Sequence, residues 1–201
     1  MASWRKAIGG ILRRVGMHSY VVALLRWRAH MPLFLVNFMF QRILGINRDC
    51  PWSVHYTSKV VAPKKLHVPP SSRLSFAVSG NCYIQALNGV EIGDDTIFAP
   101  GVRIISADHS ELDFHDYVRD KPIRIGRRCW IGANAVVLPG VELGDRVIVG
   151  AGTVVTKSFP GGCVIAGVPA SVIRQVRIEI APPDGELLGH DRDEPAERDR
   201  C

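Results

Sequence analysis

Residues 125–160, written in sixes, read Ile-Gly-Arg-Arg-Cys-Trp, Ile-Gly-Ala-Asn-Ala-Val, Val-Leu-Pro-Gly-Val-Glu, Leu-Gly-Asp-Arg-Val-Ile, Val-Gly-Ala-Gly-Thr-Val and Val-Thr-Lys-Ser-Phe-Pro. The first position is aliphatic every time: Ile125, Ile131, Val137, Leu143, Val149 and Val155. Glycine follows it in four of the six (Gly126, Gly132, Gly144, Gly150), and the fifth position is small or apolar, from Cys129 to Phe159. A period of six fits neither a helix at 3.6 nor a simple two-residue alternation. It suits one short strand and one turn per repeat, with an aliphatic side chain of each repeat directed inward. Stacking such units builds a continuous core, the arrangement of a solenoid.

The period extends backwards. Steps of six from Ile104 reach Phe98, Ile92, Ala86, Gly80, Leu74 and Val68. Of these seven first positions only Ala86 and Gly80 are not large and apolar, which suggests distorted coils there. Ile104 and Ile125 are 21 positions apart, so the period is broken between them. Ser110–Val118 is the natural insertion, because Arg119–Arg124 reads again as a repeat with Ile123 inward.

These repeats, with the ending Ala166-Gly167-Val168-Pro169-Ala170, resemble the hexapeptide-repeat acyltransferases, in their sugar and serine O-acetyltransferase branch. The resemblance covers Val68–Val176. It implies a mainly β fold, a left-handed parallel β-helix of triangular section with three hexapeptides per coil. Val68–Pro160 then holds about five coils, with a loop extruded from one of them. Left-handed crossovers run against the general right-handed rule, so the handedness comes from the resemblance alone.

Composition bounds the remainder. A chain of 201 residues is expected to form one domain with small appendages. Apolar residues make up 47%, enough for a core, while 19 Gly and 13 Pro supply frequent turns. The net charge of +6 is uneven: residues 1–50 carry eight Lys or Arg and one Asp, whereas 181–201 carry three basic and seven acidic residues. Five scattered cysteines form no Cys-x-x-Cys and no disulfide framework, which favours a reduced, cytoplasmic setting.

Residues 1–50 read as a basic and apolar helical region. Ile8, Ile11, Leu12 and Val15 have helical spacing with Arg5, Lys6, Arg13 and Arg14 on other faces, and Pro32 is placed to open a helix through Phe40. No segment has the form of a signal peptide, and Met31–Phe40 is too short to span a bilayer. Three roles stand open for this region: a cap over an open end of the β-helix, a peripheral contact with the cytoplasmic face of the inner membrane, or a partner protein. No nucleic-acid motif accompanies the charge. Residues 51–67 are expected to form an irregular bridge, and 181–201, rich in charge, a disordered tail.

The chemistry centres on Ser106-Ala107-Asp108-His109-Ser110. Acyl transfer from a thioester to a hydroxyl needs the hydroxyl proton removed during attack, and a neutral imidazole suits that. The resemblance makes His109 the general base. Asp108 could orient it, although adjacent residues of a strand face opposite sides; the other reading of Asp108 is a surface charge. The resemblance further implies the backbone N–H of Ala133 as oxyanion donor. It implies acetyl-CoA as acyl donor, held along Ala133, Gly150 and Ala151, with Thr156, Lys157 and Arg174 towards the adenine and phosphate end. Some sugar acetyltransferases carry a second basic residue where Ser171 stands. Trp130 is read either as a coil-surface residue or as a ligand contact.

The donor groove of the family is shared between subunits, which implies a homotrimer. For a sugar or glycan acceptor the candidates are Ser79, Asn81, Asn88 and His115. The acidic residues of the family pattern are missing beside them, which turns the expectation towards a surface polysaccharide or glycolipid rather than a free disaccharide. An amino-sugar N-acetyltransferase and a non-catalytic scaffold are the rivals. Zinc chemistry of the carbonic-anhydrase type needs three histidines, and Val68–Val176 contains only His109 and His115, so no metal is expected.

Overall fold

In the computed structural model, which describes residues 30–176, the six-residue period folds into a triangular prism of three sheets, parallel throughout except for the antiparallel last strand of one of them. Sheet A holds β1 (Lys59–Val61), β3 (Tyr83–Gln85), β6 (Arg103–Ile105), β9 (Val136–Val137) and β12 (Val154–Val155). Sheet B holds β2 (Leu66–His67), β4 (Val90–Ile92), β7 (Ile123–Ile125) and β10 (Glu142–Leu143). Sheet C holds β5 (Ile97–Phe98), β8 (Trp130–Ile131), β11 (Ile148–Val149), β13 (Cys163–Ala166) and β14 (Ser171–Gln175). The chain visits A, B and C in turn. Phe159 bridges Leu143 in place of a fifth sheet-B strand, so five coils are stacked.

The repeat positions have separate physical jobs. First-position side chains such as Ile104, Ile131, Val137 and Val149 fill the axis and are fully buried, as are Val147 and Cys129 at the fifth position. The glycine at the second position is required by the close passage of the next coil. A Cβ on Gly126 would lie 2.6 Å from the Gly144 carbonyl carbon, and one on Gly132 would lie 2.7 Å from the Ala151 nitrogen. Real contacts are never that close, so only a residue without a side chain lets the corners stack.

The expected start at Val68 moves back. β1 and β2 lie inside the segment 51–67 assigned to an irregular bridge, and they pair in register with β3 and β4. The phase also differs in the early coils. Sheet A aligns Val60 with Ile84 and Ile84 with Ile104, so Ile84 is the inward first position and Ala86 begins a turn that ends at Gly89. Two extra residues in that turn displace the count. Leu74 and Gly80 are not inward first positions either. The first coil has no strand on side C; a short helix, α2 (Leu74–Val78), takes its place and turns Leu74 out to solvent while Phe76 enters the core. Phe76 packs edge-on against Phe98 and Trp52.

Helix α1 spans residues 30–38 and continues as a π-helical turn through Met39–Ile43. It covers the open end of the first coil with the half-buried Phe34 and Phe40 and with amides, which are its fully buried positions. Asn37 donates to the Ala77 carbonyl at 2.9 Å and accepts from the Tyr56 N–H at 3.1 Å. Gln41 donates to the carbonyls of Cys50 and Trp52, both at 2.9 Å, and accepts from the Val54 N–H. Asn47 does the same for Ser58 and Val60. Backbone groups that no further coil would pair are thereby satisfied. Residues 1–29, and with them the amphipathic segment around Ile8–Val15, lie outside the described residues, as does the tail 181–201.

The three outer faces differ. Sheet B is a charge ladder in which Arg124 reaches Glu91 at 3.1 Å and Glu142 at 3.7 Å, while Lys121 reaches Glu142 at 3.2 Å. Sheet C turns Ile97, Trp130, Ile148 and Val164 outward in one row, the first two more than half exposed. Cys50, Cys82, Cys129 and Cys163 are buried and free; Cys129 and Cys163 are core positions, as their place in the repeat suggests. Burial pushes all four thiols above their ordinary range.

Candidate active site

β6 delivers the chain to the edge between sheets A and B, and the coil is interrupted there. Sheet A pairs Ile104 with Val137, 33 positions on, against 18 in the regular coil from Val137 to Val155. The surplus forms a hairpin in which His109 bridges Tyr117 antiparallel, Ser110 donates to the Asp116 carbonyl at 3.1 Å and Val118 to that of Asp108 at 2.9 Å. The expected insertion at Ser110–Val118 is the outer part of this hairpin.

Its base is fastened from the preceding coil. Asn88 Nδ2 donates to the carbonyls of Ser106 (2.8 Å) and Val118 (2.9 Å), and the Asn88 N–H donates to Ser106 Oγ. Gln85 accepts from the Ala107 N–H through Oε1 at 2.9 Å and from the Ser106 N–H through its carbonyl. Ser106 and Ala107 are thus held rigidly, and His109 emerges two residues later with its ring in solvent. Asp108 is exposed too, and among the described residues its carboxylate makes no hydrogen bond to the His109 ring. His115 sits in the exposed part of the hairpin, where its N–H meets Asp113 Oδ1 at 2.8 Å.

A second set of residues lies on the edge between sheets C and A. Ala133 and Ala151 occupy successive corners of that edge, linked by the Gly152 N–H donating to the Ala133 carbonyl at 2.8 Å. The N–H groups of Gly132 and Asn134 go to Val149 and Pro100, but those of Ala133 and Ala151 have no acceptor among the described residues. Two backbone N–H groups on a lining of small side chains are thus left without a partner among the described residues. The Gly150 N–H is used by Ile165, which leaves Gly150 the role of permitting close approach. Thr156 and Lys157 are exposed just past β12, with Lys157 Nζ 5.7 Å from the Phe159 ring centre; Arg174 is exposed on β14. In one chain these groups do not converge, since His109 leaves one edge of sheet A and Ala133 stands at the other.

Comparison with known proteins bears directly on this geometry. Residues 122–157 match the family model described as the hexapeptide repeat of succinyl-transferase. WcaF of Escherichia coli, a protein named for acetyltransferase function in colanic acid biosynthesis, is 32% identical over 156 residues, 78% of either chain. The chain belongs to the hexapeptide-repeat acetyltransferase family. Its coil is accordingly the left-handed parallel β-helix.

The galactoside O-acetyltransferase of E. coli is 42% identical over 90 residues, but the match spans 43% of this chain and 44% of that enzyme. The chain thus covers about half the length of several curated relatives. Among solved structures, the Bacillus cereus N-acyltransferase AntD, in complex with dTDP-4-amino-4,6-dideoxyglucose and coenzyme A, superposes with a TM-score of 0.50 at 16% identity, over 64% of this chain and 82% of that one. That likeness concerns the fold.

For this hexapeptide-repeat protein the structure corrects one of the acceptor candidates and shows a structural task for another. Ser79 is 4% exposed and spends its hydroxyl on the Phe98 carbonyl at 2.7 Å, so no surface group remains. The Asn88 amide nitrogen is committed to the hairpin base. Asn81 is exposed, but it stands at the start of β3, on the edge away from His109. Gln85 was not read from the sequence as a site residue. Its signal was available: a polar residue on the outer face of the strand one coil before the histidine. A groove of about 330 Å³ opens beside the hairpin base, lined by Lys64, His67, Asn88, Gly89 and Pro122 among others. A larger groove, about 680 Å³, runs along the glycine corners between sheets B and C and does not touch His109. Among the described residues, no three His, Cys, Asp or Glu side chains gather as a metal-binding group.

Proposed function

We propose that this protein transfers an acetyl group from acetyl-CoA to a hydroxyl of a sugar, in the making of a bacterial surface polysaccharide or glycolipid. His109 is the general base. Its neutral imidazole takes the hydroxyl proton as the sugar oxygen attacks the thioester carbonyl, and the carbon–sulfur bond breaks. The imidazolium returns the proton to the departing thiolate, so the base is restored. The carbonyl oxygen, which gains charge during attack, is met by the Ala133 N–H. Ala151 and Gly150 line the pantetheine path, while Thr156, Lys157 and Arg174 hold the adenine and phosphate end through charge-assisted bonds. The hairpin supplies His115 to the acceptor side.

The observation that carries this reading is the pair of free N–H groups at Ala133 and Ala151, on a coil that also exposes His109 at the mouth of its only long insertion among the described residues. The named activities of WcaF and the galactoside enzyme support acetyl transfer and a saccharide acceptor.

The working unit in this reading is a homotrimer, and the separation of His109 from Ala133 across sheet A supports a site shared between chains. The groove of one chain meets the hairpin of the next, and the apolar row Ile97, Trp130, Ile148 and Val164 is covered in the process. A reduced cytoplasmic setting, where acetyl-CoA is available, suits the four free cysteines.

Calorimetry with acetyl-CoA tests the proposal. Wild type should bind, and Lys157→Ala/Arg174→Ala should bind at least about tenfold more weakly, as expected for the loss of charged phosphate contacts. A folded protein with no affinity for acetyl-CoA would overturn the acyltransferase reading and leave His109 an ordinary loop residue.

A further inference from the structure

Helix α1 has its polarity reversed. A surface helix ordinarily buries its apolar stripe and shows its polar one. Here the buried positions are Asn37 and Gln41, whose amides cap the first coil. Leu33, Phe34, Val36 and Phe40 are half-buried, whereas a second set of apolar side chains faces outward: Leu35 is 64% exposed, Phe38 59% and Ile43 67%, with Met39 and Leu44 exposed beside them. Positions 35, 38, 39 and 43 follow helical spacing, so they form one stripe rather than scattered residues. The protein's own core does not need this surface, because the amides already do the capping. A contiguous exposed patch of this kind marks an interaction site.

Charge identifies the partner. Residues 1–29, which run directly into this helix, contain six Lys or Arg and no Asp or Glu, and Arg42 and Arg48 stand exposed beside the stripe. A second copy of the chain would bring the same positive charge to the contact and be repelled. An anionic lipid surface answers both features, since it attracts the cations and accepts the apolar side chains. No helix among the described residues is long and apolar enough to cross a membrane, so the fitting mode lies in the plane of the interface.

We propose that the outward stripe of α1, Leu35, Phe38, Met39, Ile43 and Leu44, docks the protein onto an anionic phospholipid bilayer. The stripe sinks into the headgroup boundary while the exposed Arg42 and Arg48 meet the lipid phosphates. The β-helix stands on the membrane by its first coil. The docking surface is independent of the acyl-transfer chemistry, and either can fail alone.

The test uses the full chain, sedimented with vesicles of phosphatidylcholine or of phosphatidylcholine mixed with phosphatidylglycerol, at low and high salt. Binding should favour the anionic vesicles by about tenfold or more and weaken with salt. The variant Leu35→Ser/Phe38→Ser/Ile43→Ser should lose that binding while keeping its melting temperature and its oligomeric mass. No binding by wild type, equal binding to both vesicles, or full retention by the triple variant would each overturn the proposal. A drop in oligomeric mass in the triple variant would overturn it as well, by assigning the stripe to contact between copies.

Discussion

The side-chain amide of Asn88 donates to the carbonyl of Val118 at 2.9 Å, across 30 positions of sequence, and so closes the hairpin on which His109 stands. The same nitrogen holds Ser106 on the other arm. One residue of the preceding coil therefore sets both ends of the insertion. Asn88→Ala is expected to cost about 1–2 kcal/mol, the usual loss when a buried or half-buried carbonyl gives up its partner. Turnover should fall about tenfold or more while KM for acetyl-CoA stays nearly constant, because the donor groove lies on another edge. Steady-state kinetics with limited proteolysis of the hairpin would check this; unchanged turnover would remove Asn88 from any role at the site.

His109→Ala should lower turnover by about 10²–10⁴-fold, the range for losing a general base. Acetyl-CoA affinity should be kept within about twofold, and the melting temperature should not move, since the ring is exposed and has no hydrogen-bond partner among the described residues. His115→Ala, by contrast, should spare the chemical step and act, if at all, on KM for the acceptor. Equal losses of turnover in the two variants would refute the assignment of the base.

Gly132 and Ala151 face each other across adjacent coils, and they should respond in opposite ways to added bulk. Gly132→Ala places a Cβ 2.7 Å from the Ala151 nitrogen, so the coils have to separate. A loss of about 1–3 kcal/mol is expected, as for other overpacked sites, read as a lowered melting temperature. Ala151→Leu adds its side chain outside the coil, where nothing is displaced in the chain itself. It should melt normally yet bind acetyl-CoA weakly.

Asp145 carries the pH dependence. Its carboxylate accepts the Arg127 N–H at 2.8 Å and pairs with the Arg127 guanidinium at 2.9 Å, which hold its pKa below the ordinary value. A depressed carboxylate stabilises the folded state above the unfolded pKa of 3.8 and loses that contribution as pH falls through the lower folded value. The thermal difference between wild type and Asp145→Asn should be visible at neutral pH and shrink as pH falls through the lowered folded pKa of Asp145, below which both side chains are neutral. A difference that persists in acid would mean that shape, not charge, holds this corner.

Much of the site was legible because it depends on local order. The inward residues Ile125 to Val155, the second-position glycines and the break after Ile104 all follow from a six-residue count, and that break points straight to His109. The polar acceptor candidates were less legible. Ser79 and Asn88 look like free surface groups in the sequence, yet Ser79 serves the Phe98 carbonyl and Asn88 the hairpin arms. Whether a polar atom is available depends on which backbone groups arrive beside it, and those come from a neighbouring coil.

By itself the sequence determined the six-residue rhythm, the residues that fill the axis and the glycine at each tight corner, because those are set within a single repeat. Only the tertiary structure decided the phase of the early coils. Ile84 rather than Ala86 lies over Ile104, since two residues added to one turn shift the frame without leaving a trace in the composition. It also decided that α1 turns its amides inward and its apolar stripe outward. Asn37 finds its partner at Ala77, 40 positions away, and a hydrogen bond of that span is invisible to any local pattern. Periodicity reports what neighbouring residues share, whereas the end of a coil is closed by groups that only folding brings together.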